Sequence, residues 1–84
     1  MSSSQDLKVA FELFMHTTTL EEAYDILKKY PELLTDSSDI FLSRLIHEAR
    51  QQGRHDIVML LDERRNFIRS VRQEFEEQQD NNQK

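Results

Sequence analysis

Residues 53–78 read GRHDIVMLLDERRNFIRSVRQEFEEQ, and the order of apolar residues along this stretch decides the fold. Ile57, Leu61, Ile68, Val71 and Phe75 follow steps of four and three, with Arg64 interrupting the series. A repeat of about 3.5 residues is the seam of a helix that lies lengthwise on other helices. Leu60 and Phe67 form a second row, seven residues apart. The single glycine, Gly53, stands where a preceding helix would end in left-handed geometry. The pattern predicts a long helix over 55–78, entered by a tight turn from another helix.

Upstream of that turn, residues 37–52 carry Phe41, Leu42, Leu45, Ile46 and Ala49 on one helical face. Asp36, Ser37 and Ser38 are all competent N-caps for this segment. Before it, Pro31 stops a helix predicted over 19–30, because the residue preceding proline is pushed out of helical geometry. Leu33 and Leu34, in the connection after Pro31, are expected to cover the end of a hairpin. The face of 19–30 is Leu20, Ala23, Tyr24 and Leu27. Thr19 with Glu22 three residues on makes a capping box at its start. A first helix over 5–16 presents Leu7, Ala10, Phe11 and Phe14, and Leu13 and Met15 widen that face. It ends at the run Thr17-Thr18-Thr19, whose hydroxyls compete for local backbone bonds. The expected architecture is all-α: four helices as two antiparallel hairpins, about 5–16, 19–30, 37–52 and 55–78, the last the longest. Residues 5–78 form one domain, 1–4 are expected to be flexible, and the polar stretch 79–84 is expected to be disordered.

Composition agrees with helices and limits chemistry. The 84 residues allow one domain with a modest core, and proline, like glycine, occurs once. A sheet protein of this length would recruit both residues more often for its turns. No cysteine is present, which removes disulfides, thiol nucleophiles and thiolate metal sites. The first residues lack the basic start and apolar run of a secretory signal, and no stretch approaches the roughly 20 apolar residues of a membrane span. A cytoplasmic location is expected, without membrane contact.

The net charge of −5 is unevenly spread. Residues 1–43 hold three Lys and eight acids, 44–72 seven Arg and four acids, and 73–84 one Lys and four acids. Oppositely charged parts can then meet within one chain or between copies. The acidic total argues against bulk nucleic-acid affinity.

Several stretches together resemble a known module. They are Pro31-Glu32-Leu33-Leu34-Thr35-Asp36, the pairs Phe41-Leu42 and Leu45-Ile46, the run Ala49-Arg50-Gln51-Gln52-Gly53, and Leu60-Leu61-Asp62-Glu63-Arg64-Arg65. Over about residues 13–75 the chain resembles a short helical module found in bacterial, notably cyanobacterial, proteins beside tetratricopeptide arrays and CHAT (caspase-like) domains. The resemblance implies a helical interaction unit and no activity. A plan like a tetratricopeptide pair is present, but that repeat's small residue at the helix crossing is not, since Phe11 falls in its place.

Signatures of catalysis are missing from the sequence. His47-Glu48 begins like a zinc-protease motif, but the second histidine it needs is replaced by Gln51. His16 and His55 are far from it in sequence or across the Gly53 turn. The adjacent pairs Glu21/Glu22, Asp62/Glu63 and Glu76/Glu77 point to different sides of a helix. One glycine cannot build a phosphate loop. No enzyme activity, metal, cofactor or small-molecule substrate is expected.

Two functional readings follow. In the first, the chain is a non-enzymatic protein–protein interaction or assembly module. Three short helices would cover only the first half of the long one, leaving the rest for a partner such as a second copy. The expected surface is Phe67, Ile68, Val71 and Phe75, rimmed by Arg65, Arg69 and Arg72. In the second, Ala49 and Gly53 mark a helix-turn-helix whose following helix offers its arginines to nucleic acid. Arg54 and Asp62 oppose this, because they fall where such motifs bury apolar residues.

Overall fold

A computed structural model describes the backbone of residues 3–82 and the side chains of residues 6–77. Four helices and one short turn follow in order: α1 (Ser3–Met15), α2 (Leu20–Lys29), a 3₁₀ turn (Pro31–Leu34), α3 (Asp36–Gln51) and α4 (His55–Asn82). The all-α class and the dominance of α4 agree with the sequence. Two terminal expectations need correcting. Ser3 and Ser4 belong to α1, and the stretch expected to be disordered from residue 79 is helical as far as Asn82. Residues 1–2 and 83–84 lie outside the described part. Asp80, Asn81 and Asn82 are weak helix formers, but adding residues to an existing helix avoids the cost of nucleation.

Local chemistry sets each boundary. Thr19 caps α2: its hydroxyl oxygen accepts from the Glu22 N–H at 3.1 Å. Glu22 completes the box one residue further back than expected, its carboxylate accepting from the N–H and hydroxyl of Thr18 at 2.9 and 3.1 Å. Pro31 occupies the first position of the 3₁₀ turn, so it ends α2 and begins the next element at once. The cap of α3 is Thr35 rather than Asp36. Thr35 is extended and its hydroxyl accepts from the Ser38 N–H at 3.3 Å while donating to the Glu32 carbonyl at 2.7 Å. Asp36 is the first helical residue, where its charge favours the positive end of the helix. At the other end of α3, Gly53 has φ +73°, and the N–H groups of Gly53 and Arg54 bond to the carbonyls of Arg50 and Ala49. That pair of bonds is the Schellman closure, which needs a residue without the Cβ penalty at Gly53.

The Gly53 turn makes α3 and α4 an antiparallel hairpin. Arg65 reaches Ser43, Arg69 reaches Asp39 and Arg72 reaches Asp36, so each step up α4 matches an equal step down α3. The 3₁₀ turn ties the end of α2 to the start of α3. In an antiparallel hairpin that start lies beside the second half of α4, and the first hairpin must therefore sit there.

Three aromatic pairs record where it sits. Phe11 meets Phe41 edge to face at 5.5 Å, Phe14 stacks on Phe67 at 6.2 Å, and Tyr24 meets Phe75 at 6.2 Å. The 3₁₀ turn packs against all four helices, and its Leu33 is 0% exposed. Around Leu33 the core gathers Phe14, Leu27, Leu42, Ile68 and Val71.

Candidate functional site

The surface expected on α4 is turned inward. Ile68 and Val71 are buried in the core, and Phe67 and Phe75 are half-buried against Phe14 and Tyr24. The expectation that the second half of α4 lacks cover within the chain is therefore corrected. The turn after Pro31 directs α1 and α2 onto that half and away from the first.

Its arginine rim is likewise used within the chain. Arg65 donates to the Ser43 hydroxyl at 2.9 Å and to Asp62 at 2.8 Å, the second contact being the neighbour pairing expected along one helix. Arg69 holds Asp39 with two bonds, and Arg72 bridges Asp36 at 2.9 Å and Glu76 at 3.3 Å. The arginines thus form a ladder against the acidic start of α3. Hydrogen bonding from Arg69 holds the Asp39 carboxyl below its ordinary range, helped by the charges of Arg69, Arg65 and Arg72. Arg69 and Arg72 are in turn held more firmly protonated, chiefly by their bonds to Asp39 and Asp36.

Arg64, which broke the apolar row, closes the end of the first hairpin. Its guanidinium donates to the Thr17 hydroxyl at 3.1 Å and the Thr17 carbonyl at 3.4 Å, and it lies 5.5 Å from the centre of the Phe14 ring. The Thr17 hydroxyl in turn donates a hydrogen bond to the Phe14 carbonyl at 2.7 Å. A lone cation in a core register, facing a threonine run upstream, was the signal for this contact.

These placements bear on the helix-turn-helix alternative. A recognition helix follows its partner at a steep angle and keeps its basic face free for phosphates. Here α4 lies alongside α3, and Arg64, Arg65, Arg69 and Arg72 each have a partner in the chain.

What α4 does leave open is its first half. The contact of Arg64 with Thr17 marks the end of the first hairpin, so residues 55–63 project past it by roughly 14 Å at the helical rise. On this stretch Met59 is 72% exposed and Leu60 42%, while Leu61 is buried and Ile57 and Val58 are half-buried. Leu20, 73% exposed at the start of α2, lines a cleft with Glu63, Arg64 and Phe67. Met59 and Leu60 lie one helical turn before Glu63 and Arg64, which line that cleft with Leu20. Periodicity did not mark them as exposed, because Met59 lies off both apolar rows, Leu60 reads as part of the second row and Leu20 as part of the inner face of α2.

An open groove of about 470 Å³ lies beside Leu7, Glu32, Ile40, Phe41 and Arg44. Glu22 is also held below its ordinary range, through the Thr18 N–H and hydroxyl of the α2 cap. Among the described residues, no three His, Cys, Asp or Glu side chains converge as a metal site. No helix among them is long and apolar enough to cross a membrane. In comparison with known proteins, the chain matches no protein-family model, no curated protein and no solved structure.

Proposed function

We propose that the protein is a non-enzymatic protein–protein interaction module that docks its partner on the overhanging first half of α4 and the adjoining start of α2. One observation carries this reading: Leu20 is exposed in a cleft with Glu63 and Arg64, and Met59 and Leu60 expose apolar side chains one helical turn before them, apart from Val9, Leu13 and Ile40, which are exposed on α1 and α3. Apolar side chains scattered singly need no explanation, whereas a contiguous group marks a place where another surface removes water. The resemblance to helical modules beside tetratricopeptide and CHAT domains points the same way. Nucleic-acid binding has less support, because the arginines it would use are engaged by Asp36, Asp39, Ser43 and Thr17.

A photo-crosslinking side chain tests the site. Placed at Met59 in cells, it should capture a discrete protein adduct. At Ser70, exposed on α4 outside the overhang, it should capture none. Equal capture from both positions, or none from Met59, removes the overhang as the docking site.

A further inference from the structure

Resting on that docking reading, we infer that Met59 is a methionine-oxidation site, and that conversion of its thioether to the sulfoxide releases the docked partner without unfolding the chain.

The sulfur inventory selects the residue. The chain holds no cysteine and three methionines, Met1, Met15 and Met59. Peroxides therefore meet no thiol here, and thioethers are the sulfur groups left to react. Met15, at the end of α1, is half-buried and packed against the core. Met59 is 72% exposed. Attack requires the oxidant to reach the sulfur from water, so Met59 reacts ahead of Met15. Met1 lies outside the described residues.

The reaction is oxygen transfer from a hydroperoxide, of which hydrogen peroxide is the simplest. A sulfur lone pair attacks one peroxide oxygen, forming the S–O bond as the O–O bond breaks. The proton left on the sulfur-bound oxygen passes to the departing hydroxide, which leaves as water. Sulfur loses two electrons and the peroxide gains them. A dithiol reductant reverses the change: its two thiols become a disulfide and the oxygen leaves as water.

The consequence follows from the place of Met59 on α4. Oxidation turns an apolar side chain into a polar one with a strong hydrogen-bond acceptor. Its neighbours one turn away on the helix are His55, Asp56, Asp62 and Glu63. Three of these are carboxylates, which have no proton to donate at neutral pH, and none is Lys or Arg. His55 is the single donor among them. The sulfoxide oxygen of the free chain is therefore held by water. A partner closing over Met59 must strip that water away, and burying an unsatisfied acceptor is costly. The fold itself bears no such cost, because Met59 stands outside the core. Oxidation then acts on docking alone.

The test uses purified chain with a photo-crosslinking side chain at Leu60, beside Met59. The chain is treated with hydrogen peroxide, the excess is destroyed with catalase, and illumination follows in an extract of its native cells, so that the partner itself is never oxidised. Peptide mass spectrometry should find sulfoxide at Met59 at doses that leave Met15 reduced. The helical signal and the melting temperature should not move. The adduct given by untreated chain should fall about tenfold or more on oxidation. Met59→Leu, which keeps Met1 and Met15, should give the adduct with and without peroxide, and Met59→Gln should give little in either case. Oxidation of Met15 as readily as Met59, or treated chain that captures as well as untreated, overturns the inference and leaves the docking site standing. Loss of the adduct in treated Met59→Leu overturns it too, since another group then carries the effect. No adduct from Leu60 before or after peroxide removes the docking site, and the switch falls with it.

Discussion

Arg69 grips Asp39 with both ends of its guanidinium, Nε to Oδ1 at 2.6 Å and Nη2 to Oδ2 at 2.9 Å, across the α3–α4 hairpin. This bidentate rung is the best-formed of the arginine ladder and fixes the register of the two helices. Both side chains are partly exposed, so water and salt screen the attraction. Asp39→Asn is expected to cost about 0.5–1 kcal/mol of stability at neutral pH. The sign of the pH dependence follows from the lowered carboxyl. A carboxyl whose folded value lies below its unfolded value contributes stability that is fully present above the unfolded value and lost as pH falls through the folded one. The gap between wild type and Asp39→Asn should therefore narrow as urea titrations are taken down through the acid range. It should also shrink in high salt. A gap indifferent to both would mean that Asp39 acts through packing and not through its charge.

Ser38 is 1% exposed, and its hydroxyl oxygen has no hydrogen-bond partner in the protein. It sits in the first turn of α3, where a small residue lets the helix approach the core. A buried hydroxyl without a partner carries a desolvation penalty that alanine does not, and alanine is the better helix former. Ser38→Ala is expected to stabilise by up to about 1 kcal/mol, read as a higher urea midpoint with an unchanged slope. A lower midpoint would show that the hydroxyl is satisfied in solution.

Leu33 joins the two hairpins, since the 3₁₀ turn that carries it touches every helix. Leu33→Ala should cost about 2–5 kcal/mol through lost burial and the cavity left behind. That is a large share of the roughly 4–13 kcal/mol expected for a domain of this size. Because the side chain is shared, both hairpins should lose structure in one transition. Far-ultraviolet dichroism and tyrosine fluorescence, the latter from Tyr24 and Tyr30 of the first hairpin, should give coincident curves. Separate midpoints would show that the hairpins fold independently and that the turn is only a link.

Much of this fold was legible in the sequence, and its main error is instructive. Periodicity located all four helices, Thr19 and Gly53 marked real boundaries, and Pro31 ended α2 as read. The misplacement of the exposed surface came from topology. Helix lengths alone suggested that α1 and α2 cover the start of α4. Two sequence features, taken together, say the opposite: Gly53 makes α3 and α4 antiparallel, and the short Pro31 connection pins the first hairpin to the beginning of α3. The remaining gaps concern side chains that periodicity cannot resolve. Thr35 and Asp36 are both good caps, and only backbone geometry selected Thr35. Arg64 reads as an interruption until Thr17 is seen beneath it. Exposure of Leu20 depends on how far α4 extends past the first hairpin, which no local pattern encodes.

The relocated surface makes a prediction that separates the two halves of α4. Val71 is 4% exposed and packed among the core residues, so Val71→Glu buries an unpaired carboxylate. Such a change costs more than about 4 kcal/mol, enough to unfold much of a domain this small. Met59→Glu places the same charge on a side chain that is already largely in water, and should shift stability by less than about 0.5 kcal/mol. Thermal melts followed by dichroism read both. Were α4 to present its second half to a partner, the order would reverse in kind: Val71→Glu would leave a folded monomer, and only association would be lost. A folded Val71→Glu chain with a wild-type melting temperature would therefore restore the second half of α4 as the working face and remove Met59 and Leu60 from that role.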